Sequence, residues 1–278
     1  MINAFPWYGG KSLHLKHILP LLDISGVRHY IEPFAGSAAV LLNRPSSPIE
    51  TLNDIDGEIV NFFRVLRMQE ADFLKALTLT PYSRAEFEAC LVVPKDLELL
   101  ERARRFYVRT ICARGGSPRP TLGQWMGAPM STYRGRVRGV RRDVHARISQ
   151  WFGHIESLPE IVTRLLFVEF ENRDAIDVIK KYDAPDVLYY VDPPYFPRDR
   201  VAPKMYYYEA GAEYHERLSD TLRGCAGRVA ISGYAGEYDR LYSGWRVVRW
   251  PVTALASVTR AKREESVWLN YSINGERI

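Results

Sequence analysis

Residues 28–56 read RHYIEPFAGSAAVLLNRPSSPIETLNDID. RHYIEPF is a short run of β-formers stopped by a proline, SAAVLLNR has helical spacing, and IETLND is strand-like again. Strand, helix and strand therefore follow one another directly. The same alternation resumes far downstream, with LLFVEF, helical AIDVIKKY, VLYYV, helical YHERLSDTLRGC and RVAISGY, and the tail adds strand-like RVVRWPV and ESVWLNYSI. Strands alternating with helices predict an α/β fold built on parallel strands.

Between the two blocks the pattern changes. GEIVNFFRVLRMQEADFLKAL, RAEFEACL and LELLERARRFYVRTICA place apolar residues at helical spacing, and VHARISQWFGHIESLPEIVTRL does so again. Residues 114–140 are instead rich in Gly, Pro, Ser and Arg, which predicts a long loop, and loops of that length tend to carry function. The expected organisation is one α/β domain in two pieces, 1–56 and 160–278, with a helical, basic module at 57–159 inserted between them.

With 46% hydrophobic and 26% charged residues, the 278-residue chain has the composition of a soluble globular protein. No signal-like N-terminus and no long unbroken apolar run is present, so neither export nor membrane insertion is expected. Cys90, Cys112 and Cys225 are too sparse for a disulfide framework or a zinc pattern, which points to the cytoplasm and to no metal. His145, His154 and His215 lack metal-like spacing and read as structural or surface residues. Charge is uneven. From Arg102 to Arg147 there are twelve arginines, no lysine and one acid, about +11, against a total of +5 for the whole chain. Such a segment suits a nucleic-acid partner, since the arginine fork matches phosphate and guanine; arginines paired with acids elsewhere in the fold would leave the same trace.

Three short motifs carry chemistry. In Glu32-Pro-Phe-Ala-Gly-Ser-Ala38, Gly36 lets a strand-to-helix turn approach a ligand closely, and Asp54 follows at the distance expected of a ribose-binding acid. An ordinary tight connection would look alike. Pro6-Trp-Tyr-Gly-Gly-Lys11 lacks the glycine spacing of a phosphate-cradling loop, which excludes a nucleoside triphosphatase, and could equally cap a core. In Asp192-Pro-Pro-Tyr195 the prolines stiffen the chain and remove two donors, so that Asp192 and a free carbonyl form an acceptor pair for an NH2 group. Tyr195 would offer an exposed flat face for stacking. A polar turn ending a strand is the plain alternative.

In this order and spacing, FPWYGGK, EPFAGSAAV, NDID and DPPY resemble the Dam-type, D12 class, DNA adenine-N6 methyltransferases. Shorter echoes are VEFENRDAIDVI, YHERLSDTL, VAISGY and KREESVWLNY. The resemblance implies a Rossmann-like methyltransferase fold with an inserted, mainly helical target-recognition domain. It further implies S-adenosylmethionine as cofactor, double-stranded DNA as partner, a flipped adenine as acceptor, and a monomer in solution. By position, Trp7, Tyr8, Lys11, Glu32, Phe34, Ala35, Gly36, Asp54 and Asp174 would bind the cofactor. Asp192, Pro193 and Tyr195 would be catalytic, with Phe196 a second wall. Arg114, Arg119, Arg134, Arg136, Arg138 and Arg141 would contact DNA. The family often has Gly where this chain has Ala38. Members that read GATC carry a segment rich in Asn and Phe where this chain has ARGGSPRPTLGQW, so that specificity does not transfer.

Overall fold

A computed structural model describes residues 1–113, 125, 131–133, 136–138, 140–141, 144–196, 208, 210–253, 262–272 and 274–278. They form two compact units, one of residues 1–10 and 58–166, the other of residues 11–57 and 167–278.

The second unit holds a seven-stranded sheet. Its strands are β1 (His29–Glu32) and β2 (Ile49–Asn53), then, after short strands of the other unit, β7 (Val168–Glu171), β8 (Val187–Val191), β9 (Arg228–Tyr234), β10 (Arg246–Thr253) and β11 (Lys262–Leu269). Their order is β10-β11-β9-β8-β1-β2-β7. From β9 to β7 the neighbours run parallel, and β11 pairs antiparallel with both β9 and β10. The expected α/β class is observed, a mixed sheet consistent with a Rossmann-like methyltransferase fold. Every residue of β1 and β8 is buried, as befits central strands covered on both faces.

Helices α1 (Leu15–Leu22) and α2 (Ala39–Asn43) precede β2, α9 (Ala175–Tyr182) links β7 to β8, α10 (Ala212–Gly224) precedes β9, and α11 (Glu237–Leu241) follows it. On one face Ile31, Tyr189, Val191, Val229 and Ile231 pack with Ile176, Ile179, Leu218 and Leu222 of α9 and α10. Because side chains alternate along a strand, Tyr30, Glu32, Tyr190 and Ser232 fall on the other face. That face is polar at its centre. The chain leaves β1 toward β2 on one side and returns to β8 on the other, so strand order switches between β1 and β8. A crevice at the carboxyl end of such a switch is where open α/β sheets hold ligands.

The first unit contains α4 (Glu70–Leu79), α5 (Arg84–Cys90), α6 (Leu99–Cys112), α7 (Ala146–Glu156), α8 (Leu158–Leu165) and nearly all of α3 (Gly57–Met68). Two short ladders accompany them, β3 (Ser131–Tyr133) with β4 (Arg136–Arg138) and β5 (Val140–Arg141) with β6 (Val144–His145). Its core is aromatic. Phe5 meets Phe62 and Phe106 edge-on at 5.0 and 5.3 Å, and Phe62 stacks on Tyr107 at 5.5 Å.

Candidate active site

Four segments leave the carboxyl ends of four adjacent parallel strands. Asp192 to Phe196 follows β8, Pro33 to Ala38 follows β1, Asp54 follows β2, and Asp174 follows β7. With strands about 4.8 Å apart, this row spans about 14 Å, room for an elongated nucleoside along the sheet edge.

The turn after β1 contains two left-handed residues, Gly36 at φ 48° and Ala38 at φ 54°. Ala35 N–H donates to the Asn53 carbonyl at 2.8 Å, and Ala38 N–H to the Ala35 carbonyl at 2.7 Å. Asp54 braces the bend, its Oδ2 accepting from Gly36 N–H at 3.0 Å and its Oδ1 from Asp56 N–H at 2.9 Å. Burial lifts its carboxyl to about 7 despite these donors. Glu32 is 2% exposed and accepts from the Tyr30 hydroxyl at 2.8 Å. Burial lifts it to about 8, opposed by Tyr30 and by the backbone of Leu41. Glu32 thus serves the first turn of α2, where Ala38 provides no capping side chain. Phe34 meets Tyr214 edge-on at 6.5 Å.

Asp174 caps α9 by accepting from Ile176 N–H at 2.8 Å, and it also accepts from the Tyr214 hydroxyl at 3.3 Å. Asn53 fastens the loops together, donating to the Pro33 and Arg173 carbonyls at 2.8 and 3.1 Å and accepting from Arg173 N–H at 3.0 Å. The motif containing Asn53 was visible in the sequence; its tethering role was not.

After β8 the chain builds a charged corner. Lys11 Nζ lies 2.7 Å from Asp192 Oδ1 and 3.7 Å from Glu265 Oε1, and 4.9 Å from the centre of the Tyr195 ring. The Tyr195 hydroxyl donates to Glu265 Oε1. Burial alone would lower the Lys11 pKa, but Asp192 and Glu265 raise it, so the lysine is an ammonium. Burial raises Asp192 above the usual carboxylate value, with Lys11 opposing. Behind the corner, His215 Nε2 donates to the Pro194 carbonyl at 3.1 Å and its ring stacks on Phe196 at 4.2 Å, while the Tyr238 hydroxyl reaches His215 Nδ1 at 3.4 Å. His215 is therefore structural, and it props the loop that carries Asp192.

Sequence and structure differ over the exposure of Tyr195. Tyr195, expected at the surface, is only 8% exposed, because its hydroxyl finds a buried acceptor and its ring packs against Tyr234 at 4.8 Å. Lys11, which the resemblance places in the cofactor pocket, stands beside Asp192. Trp7 and Tyr8 fall in the helical unit, where Trp7 packs edge-on against Phe5 at 5.6 Å. Glu265 was missed, although EESVWL contains a signal: in a strand one of two consecutive acids must point inward.

Of the arginines, Arg102, Arg104, Arg105 and Arg109 in α6 pair with acids of their own unit, namely Glu58, Glu86 and Glu101. For these four, internal pairing is the observed state. Arg136 and Arg138 lie in β4 and Arg141 in β5, whereas Arg114, Arg119 and Arg134 lie outside the described residues. Among the described residues no cluster of His, Cys, Asp and Glu could hold a metal, and no helix is long and apolar enough to cross a membrane.

The family model for D12 class N6 adenine-specific DNA methyltransferases matches residues 7–112 and 148–251. No curated protein matches the chain. The unmatched interval takes in the arginine-rich residues 114–140.

Proposed function

The chain belongs to the D12 class of N6 adenine-specific DNA methyltransferases, and on that premise we propose that it methylates adenine N6 at specific sites in duplex DNA, with S-adenosylmethionine as donor and the target base swung out of the helix. The observation that carries this reading is that Asp192 follows the end of β8 and the Gly36 turn follows the end of β1, its paired neighbour in the sheet.

The donor set suits this cofactor. A tight turn with Gly36, the carboxylate of Asp54 and the carboxylate of Asp174 stand in that order along the sheet edge, an acidic row for a cationic nucleoside bearing two hydroxyls and an amino group. Phe34 and Ala35 would flank it. When bound, S-adenosylmethionine supplies a methyl group on a sulfonium, which an amine can displace directly.

The remaining work is done by the chain itself. Adenine N6 is a poor nucleophile, its lone pair being delocalised into the ring. Asp192 and the Pro193 carbonyl, each accepting one N–H, favour a tetrahedral nitrogen with its lone pair free. Orientation then supplies much of the acceleration. As the nitrogen takes the methyl it gains positive charge, which the Asp192 carboxylate faces, and one of its N–H protons then passes to solvent. N6 is out of reach in a stacked duplex, so extrusion costs a few kcal/mol. Arg114, Arg119, Arg134, Arg136, Arg138 and Arg141 would contribute phosphate and base contacts.

The test is to incubate the protein with tritiated cofactor and, separately, duplex DNA, RNA or protein, then digest and identify the labelled product. Label on N6-methyladenine from duplex DNA is expected. Label on RNA adenine or cytosine N4, or DNA binding without label, would overturn the reading.

A further inference from the structure

Glu265 lies on β11, beyond the residues matched to the family, and is 3% exposed. Its Oε1 faces two donors, the Tyr195 hydroxyl and the Lys11 ammonium at 3.7 Å. A carboxylate this deeply buried persists only when paired. Here the two groups that pair it are also the two that frame Asp192. Tyr195 is held neutral, burial and the two nearby acids raising its pKa well above the ordinary value. Among the described residues the corner therefore holds one positive charge, on Lys11, set against two acids, Asp192 and Glu265.

That ratio has a consequence for the acceptor. With Asp192 alone, Lys11 at 2.7 Å would neutralise it, and a carboxylate committed to an ammonium accepts an incoming N–H more weakly. With Glu265 present, the ammonium has a second counter-charge 3.7 Å away. Asp192 then keeps negative charge to set against a nitrogen that becomes positive during transfer. A glutamine at position 265 could receive the Tyr195 hydroxyl bond equally well, so hydrogen bonding alone does not call for an acid there.

We propose that Glu265 is a positioning residue of the methyl-transfer site: it shares Lys11 with Asp192 and fixes the Tyr195 hydroxyl, so that the Asp192 carboxylate is only partly neutralised when it meets the substrate amine. Its effect on turnover rests on the adenine-N6 reading; its effect on Asp192 does not. The direction of the Asp192 perturbation agrees, since Glu265 acts to raise it and Lys11 to lower it. Among the described residues, Glu32, His14, Tyr190 and Tyr234 are the other titratable groups coupled to this corner. They are common to all the variants below that are compared with wild type.

The experiment has two arms. In the free protein, the carboxyl carbon of Asp192 is titrated by NMR, with the signal assigned through Asp192→Asn. Glu265→Gln should move its midpoint down by about one pH unit or more, whereas Glu265→Asp, which keeps the charge, should stay within about half a unit of wild type. An Asp192 midpoint unmoved by Glu265→Gln overturns the proposal. In the second arm, methyl transfer to DNA is measured. Glu265→Gln should lower kcat about tenfold or more with little change in KM, and adding Lys11→Met to Glu265→Gln should restore part of the loss. A double variant no faster than Glu265→Gln also overturns it, as a purely structural role would predict. If wild type labels no adenine, the functional reading fails while the NMR arm still decides the role of Glu265.

Discussion

Asp192 is the residue on which the chemistry turns, and its surroundings allow it to be removed without collapse. Once Asp192 is gone, Lys11 retains Glu265 as a counter-charge at 3.7 Å, so the buried cation is not stranded. Asp192→Ala should abolish transfer, a loss of at least about a thousandfold, while calorimetry finds cofactor affinity within a few-fold of wild type; a loss of affinity instead would reassign Asp192 to the cofactor. Glu32 and Asp54 make a second prediction. Both have folded-state pKa values raised by burial, Glu32 from 4.5 to about 8 and Asp54 from 3.8 to about 7. A raised carboxyl pKa means the folded protein holds a proton that the unfolded chain has released. The associated stability is fully present below the ordinary carboxylate pKa and is lost progressively as pH rises from there to about 7 to 8, levelling off above. The melting temperature should fall over that window. Glu32→Gln, a neutral isostere, should flatten the fall, and a Glu32→Gln profile parallel to wild type would show that Glu32 is ionised in the folded state at neutral pH.

At the scale of elements, the turns into and out of the sheet carry the strain and the close contacts. Ala38 enters α2 in the left-handed region, which costs an L-residue about 1–2 kcal/mol. Ala38→Gly relieves that cost but loses a fully buried methyl and gains chain entropy in the unfolded state, about 0.8 and 0.5–1 kcal/mol. The effects nearly cancel, so urea denaturation should place Ala38→Gly within about 0.5 kcal/mol of wild type, whereas Ala38→Val should lose more than about 2 kcal/mol. Gly233 of β9 is tighter still, since a Cβ there would stand 2.7 Å from the Tyr238 ring. Tyr238 also meets Phe196 at 5.7 Å and Tyr195 at 6.2 Å, so Gly233→Ala should cost about 1–3 kcal/mol in the same assay and slow transfer through the displaced corner. These details mark the limit of sequence reading. Local periodicity and punctuation were enough to mark RHYIE, IETLN and VLYYV as strands and to place Asp192, Gly36 and Asp54 at their ends. Nothing local links Glu265 to Tyr195 or His215 to Pro194, because those contacts arise when β11, α10 and the loop after β8 are brought together by strand order. The exposure assigned to Tyr195 failed for the same reason: its hydroxyl acceptor lies seventy residues away along the chain.

At the scale of the whole molecule, part of the arginine-rich segment that the sequence shows as one is already paired within the fold. In α6, Arg104 binds Glu101 and Glu86 at 2.6 and 2.7 Å and the Thr80 hydroxyl at 3.0 Å, and Arg109 is 2% exposed against Glu58 and the Cys90 carbonyl. Such arginines knit helices together and have little charge left to offer a polyanion. Beyond α6, residues 114–142 contain seven more arginines against no acid, in an interval that lies outside the family match. If this interval grips DNA, each arginine that contacts a phosphate releases counterions, and the slope of log K against log salt steepens by about 0.9 per contact. Replacing Arg114, Arg119 and Arg134 together by alanine should therefore flatten the salt dependence of DNA binding by up to about three units. Arg104→Ala should instead lower the melting temperature with the salt slope intact. Fluorescence anisotropy over a salt series, with thermal melts of the same samples, measures both. A slope unaltered by the triple change would take those three arginines off the DNA and leave the sheet unit, or the remaining arginines of the interval, to account for binding.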